Sequence, residues 1–116
     1  MELRIIKQDC DLTHLALVGR IDLKSLEALD NRFTALVVAR RKPALVDLSE
    51  VDFLASIGLR MLLTAAKALS SRGSKMVLLS PQPVVEEVLR TVGFDKIMPI
   101  RHDYNKAIEA LQNPSA

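Results

Sequence analysis

Two short apolar runs, "ALVDL" at residues 44–48 and "KMVLLS" at residues 75–80, constrain this chain more than any other feature. Each is shorter than a typical helix, and a short continuous apolar run is the pattern of a strand buried on both faces in a parallel sheet. The sequence between them has the helical period. Leu59, Leu62, Leu63, Ala66 and Leu69 fall on one face, with Arg60, Thr64, Lys67 and Ser71 opposite and Gly73 as the stop signal. Strand, helix and strand in that order predict a parallel pair joined by a right-handed crossover.

The flanking sequence extends the pattern. Residues 2–8 alternate loosely and "HLALVG" at 14–19 is strand-like, with the polar "QDCDLT" between them as a hairpin connection. From Ser25, the apolar positions Leu26, Leu29, Phe33, Leu36 and Val37 predict a helix. It ends near "ARRKP", where Arg40, Arg41 and Lys42 complement the helix dipole and Pro43 cannot continue the helix. Pro81 or Pro83 opens a further helix carrying Val84, Val85, Val88, Leu89 and Val92, and Gly93 closes it. A short strand is expected around Ile97-Met98, then a terminal helix on Tyr104, Ala107, Ile108 and Leu111, with residues 113–116 as a disordered tail. The order β-β-α-β-α-β-α-β-α predicts a single α/β domain over residues 1–112. It has a mixed β-sheet, an opening β-hairpin and about four α-helices.

Composition narrows the function. With 116 residues, 49% apolar and 26% charged, the chain builds one core. Aromatic residues are only 3%, too few for a base-stacking platform, and the three Phe are assigned to the core. A formal charge of +2, spread along the chain, gives little pull on nucleic acid, and none is expected as a partner. No apolar stretch is long enough to span a membrane, and neither a leader nor a membrane contact is expected. The lone Cys10 fits a reducing compartment, so a cytoplasmic location is expected.

Reactive groups do not converge. His14 and His102 lie far apart without a ligand cluster, and each reads as a solvated or strand-end histidine. The glycines match neither the dinucleotide fingerprint nor the P-loop. A nucleophile elbow needs Gly two residues either side of its serine; Gly58 follows Ser56 by two, but Leu54 stands two before it. Asp22, Asp47, Glu50 and Asp52 have turn and strand-end roles available. Neither an enzyme, a cofactor nor a metal is expected.

What remains is "FLASIGLR" at residues 53–60, a serine where the central helix begins. Its plain role is N-cap, the hydroxyl accepting a bond from a first-turn amide. The same geometry tolerates a phosphate, because a helix N-terminus offers unpaired N–H groups and a partial positive charge. A phosphoserine there adds about −1.5 to −2 charges to the docking surface without unfolding the domain.

At this point the sequence resembles the anti-sigma factor antagonists, the stand-alone members of the STAS domain family. "LVGRID" at 17–22, "ALVDLSEVDFLASIGLRMLL" at 44–63 and "SRGSKMVLLSPQPVVEEVLRTVGFDKIMPI" at 71–100 carry the likeness. It implies a STAS-like sandwich and a partner switch. The unphosphorylated form binds an anti-sigma factor that is also a serine kinase of the histidine-kinase-like ATPase type. Phosphorylation ends the complex, and a PP2C-type serine phosphatase restores it. Ser56 occupies the phosphorylated position of a family pattern that commonly reads Asp-Ser-Ser/Thr-Gly; here it reads Ala55-Ser56-Ile57-Gly58. The expected docking surface comprises Asp22, Asp52, Leu54, Ala55, Ser56, Ile57, Gly58, Arg60 and Lys67, with Leu54 and Ile57 its apolar centre if exposed and helix packing if buried. The competing reading is a constitutive subunit of a transport or other regulatory complex, with Ser56 a cap alone.

Overall fold

The computed structural model describes residues 2–8, 12–22, 24, 31–39 and 42–112. Strands β1 (Glu2–Gln8) and β2 (Thr13–Ile21) form the expected antiparallel pair. β3 (Ala44–Leu54), β4 (Met76–Leu79) and β5 (Ile100–Arg101) then add in parallel, giving the sheet order β1-β2-β3-β4-β5. Residues 31–34 are helical and pass into a π-helical turn at Ala35–Ala39 before β3. Helix α1 (Ser56–Ser71) joins β3 to β4, α2 (Pro83–Thr91) joins β4 to β5, and α3 (Tyr104–Gln112) ends the chain.

The two runs that open the argument are the buried strands. Ala44, Leu45, Val46 and Leu48 are buried in β3, and all four residues of β4 are buried. The larger core joins Leu15, Leu17, Val46 and Leu78 of the sheet to Phe33 and Val37, to Leu62 and Leu69 of α1, and to Val85 and Leu89 of α2. On the opposite face a smaller cluster packs Leu45, Val77 and Leu79 under Ala107, Ala110 and Leu111 of α3. That face is closed over β2 by side chains instead. Arg4 Nη1 lies 3.5 Å from Glu50 Oε2. The pair joins β1 to β3 across buried Ala16, the β2 residue opposite Arg4.

Helix ends follow the sequence signals. Gly73 at φ +77 donates to Ser70, and the Ser74 amide donates to Leu69, so a left-handed residue satisfies the last carbonyls of α1. Gly93, also left-handed, closes α2, which opens at Pro83.

Three expectations are corrected. The last strand is Ile100–Arg101 rather than Ile97-Met98, because a 3-10 turn at Phe94–Lys96 uses up the residues after Gly93. That turn buries Phe94 and Met98 and leaves Ile97 exposed. β3 runs to Leu54, so the segment around Asp52 is strand rather than loop. Phe53 is 39% exposed, whereas Phe33 and Phe94 are in the core. His14 takes the strand-end alternative, as the second residue of β2, and is buried there; His102 is exposed and its Nε2 lies 2.7 Å from Glu86 Oε1. The expected helix positions Leu26 and Leu29, the hairpin residues 9–11 with Cys10, the cations Arg40 and Arg41, and the tail 113–116 lie outside the described residues.

Candidate functional site around Ser56

β2 and β3 end side by side, with Arg20 opposite Phe53 and Ile21 opposite Leu54. The Ala55 amide donates to the Ile21 carbonyl at 2.9 Å, so the two strands stay joined up to the residue before the helix. Ala55 is extended (φ −78, ψ 164), and its carbonyl accepts from the Gly58 and Leu59 amides at 2.9 and 3.2 Å. Ala55 is therefore the N-cap, and no side chain caps this helix. Ser56 is the first helical residue and is exposed. This corrects the capping role expected for Ser56, since a residue inside the first turn points its hydroxyl away from the amides that an N-cap oxygen reaches.

Gly58 explains how the helix start sits so close to the strand ends. It is buried, and a Cβ placed there would lie 2.6 Å from Ile21 Cγ2 and 2.7 Å from Leu54 Cδ1. Only a residue without a side chain lets the first turn press onto both strands. α1 contains no acidic residue in its first turn, so its N-terminal dipole faces solvent beside Ser56 without a compensating carboxylate from that turn.

The expected surface residues separate into three groups. Asp22 follows β2 directly and accepts from Arg20 Nε at 3.2 Å; Asp52, exposed near the end of β3, and Arg60, one turn past Ser56, are also close in the chain to the site. Lys67 shares the exposed face of α1, but stands eleven residues past Ser56, roughly 16 Å along the axis. Leu54 is only 6% exposed, and Ile57 is half-buried against the core, so Leu54 packs the helix rather than forming an apolar centre. The exposed apolar group is Phe53, which sequence reading placed in the core. Its ring carries the Arg20 guanidinium 4.0 Å from its centroid. The buried residues of this stretch are Leu48, Val51 and Leu54, three apart, and nothing in the sequence marks Phe53 as lying outside that set.

No group that could hold a metal ion occurs among the described residues, and none of their helices is long and apolar enough to cross a membrane. An exposed hydroxyl thus stands at the start of α1, three residues after an aromatic ring covered by an arginine.

The STAS domain model matches residues 4–107. A Bordetella bronchiseptica protein named as an anti-sigma factor antagonist, BtrV, is 30% identical over 96 residues, covering 83% of each chain. A Thermotoga maritima structure titled as an anti-sigma factor antagonist superposes with TM-score 0.82 at 22% identity, over 97% of this chain and 94% of that one. The Bacillus cell fate determinant SpoIIAA in its phosphorylated form gives TM-score 0.68 at 17% identity, over 96% and 100%. With the matched model spanning the sheet, the helices above it and the Ser56 turn, this chain belongs to the STAS domain family.

Proposed function

We propose that this chain is an anti-sigma factor antagonist that works by partner switching. Unphosphorylated, it binds and sequesters an anti-sigma factor that is also a serine kinase of the histidine-kinase-like ATPase type. That kinase phosphorylates Ser56 and the complex dissociates; a PP2C-type serine phosphatase resets the cycle. The relatives support the first half of this reading, since BtrV and the Thermotoga structure carry the name of anti-sigma factor antagonists.

The observation that carries the second half is the position of Ser56. It is exposed, it is the first residue of α1, and Ala55 holds the cap in its place. Its hydroxyl is open to a kinase, and the helix N-terminus accepts the resulting phosphate without loss of fold. The added charge falls beside Asp22 and Asp52, and it makes the surface around Phe53 repel an acidic or desolvated partner. The competing reading of a constitutive subunit gave Ser56 the cap alone, and the cap position belongs to Ala55, which leaves the Ser56 hydroxyl without that role.

The test compares Ser56→Ala and Ser56→Asp baits in pull-downs from the source organism, followed by ATP addition to the wild-type complex. The switch predicts an ATP-binding kinase on the alanine bait, its loss from the aspartate bait, and one added phosphate on wild type that Ser56→Ala does not take up. Equal recovery of the same membrane or transport proteins on both baits would sink it.

A further inference from the structure

A second titratable feature lies on the other face of the sheet, away from Ser56. His14, the second residue of β2, is 7% exposed, and its Nε2 is buried without a hydrogen-bond partner. Its ring lies against Tyr104, the first residue of α3, with centroids 5.6 Å apart and planes 35° from parallel. Beneath the same helix, Leu45, Val77 and Leu79 meet Ala107, Ala110 and Leu111. Lys75 Nζ donates to the Ala110 carbonyl at 3.1 Å near the far end. A helix of nine residues does not persist alone in water, so α3 exists through this docking.

We propose that His14 is an acid-sensitive latch for α3, whose protonation releases the C-terminal helix from the sheet. Both ring nitrogens of an imidazolium are donors, and here one of them is buried with no acceptor. A charge in that place costs far more than in water. Three groups face the ring from the elements around it. Asp47 of β3 favours the charged form, Lys7 of β1 opposes it, and Tyr104 of α3 contributes a ring face. Burial outweighs the others and lowers the His14 pKa. Because the docked state prefers the neutral ring, its advantage is complete above the free-histidine value of about 6.5 and declines as the pH falls below it.

Tyr104 is the only tyrosine and the chain has no tryptophan, so intrinsic fluorescence reports on this contact alone. The experiment titrates the wild-type chain from about pH 8 to about pH 5 by tyrosine emission and by amide exchange corrected for its intrinsic pH dependence. The latch predicts one emission step with a midpoint below about 6.5, and a loss of α3 protection of about tenfold relative to β3 per unit of pH below it. His14→Phe abolishes both changes, and His102→Asn, the exposed histidine next to α3, leaves them in place. A step that survives in His14→Phe, or one that His102→Asn removes, overturns the proposal. Should His14→Phe not fold, nuclear magnetic resonance of wild type decides: the His14 ring and the Ala107 and Ala110 amides must titrate with one midpoint, and separate midpoints refute the latch.

Discussion

Gly58 sits so tightly against Ile21 that a single added methyl would come within 2.6 Å of the Ile21 Cγ2 atom. Ile21 is fully buried and branched at Cβ, so it has little room to yield. Alanine in a helix gains about 1 kcal/mol over glycine, but overpacking costs about 1–3 kcal/mol. Gly58→Ala is therefore expected to lose about 1 kcal/mol net, read as a lower urea midpoint at unchanged slope. A midpoint equal to or above wild type would show that the turn relaxes freely.

Ser56 and Ala55 give opposite expectations for stability. Because Ser56 follows the cap, Ser56→Ala changes stability by less than about 0.5 kcal/mol. Ala55→Ser places a hydroxyl where none caps the helix, and it is expected to add about 0.5–1 kcal/mol. Paired urea curves check both, and a loss of about 1 kcal/mol in Ser56→Ala would restore the capping role.

Phe53 is the residue expected to anchor the partner. At 39% exposure its truncation costs the fold about 1–2 kcal/mol, whereas a buried interface aromatic is worth about 2 kcal/mol or more in binding. Phe53→Ala should thus weaken capture of the kinase partner by about thirtyfold while the chain stays folded at the assay temperature. Arg20→Ala, which uncovers the ring, should weaken it less. Titration calorimetry with the purified partner distinguishes these outcomes, and wild-type affinity in Phe53→Ala would move the anchor elsewhere.

How much of this was legible in the residues follows from their periodicity. "ALVDL" and "KMVLLS" carried the parallel centre of the sheet because strands buried on both faces have no other pattern. The extension of β3 was hidden because buried Leu48, Val51 and Leu54 recur every third residue, which is neither strand nor helix spacing. The register shifts in the β2–β3 ladder accommodate that spacing, and they are a property of the pair rather than of either segment. The same concealment put Phe53 in the core. Ser56 was found because a hydroxyl in an apolar run is conspicuous, but whether it or Ala55 caps α1 depends on backbone dihedrals. His14 was read as a solvated or strand-end histidine, and its burial was not legible because nothing near it in sequence announces a helix that arrives ninety residues later.

The pH dependence of α2 has the opposite chemistry from that of His14. Arg90 Nε donates to Glu86 Oε2 at 2.7 Å, one turn apart, and this bond is the main cause of a lowered Glu86 pKa; His102 adds to it. A carboxylate held low contributes stability above its unfolded value of about 4.3 and loses it as the pH falls further. Since the pair is partly solvated, the contribution is about 0.5 kcal/mol. Arg90→Ala should lower the urea midpoint more at pH ~6 than at pH ~2.5, where more of the carboxylate is protonated. An equal effect at both would assign the loss to packing.

β3 pairs with β4 only from Ala44 to Asp47, while its ladder with β2 continues to Leu54. The last seven residues thus project roughly 20 Å past the common sheet, and they carry Phe53 and the Ser56 turn at their tip. This jetty divides the molecule into a berth and a hull. The hull is the rest of the sheet and its cover, with β4, β5, α2 and α3. For the experimenter the same division means that a reporter joined after α3 sits at the hull and leaves the jetty clear.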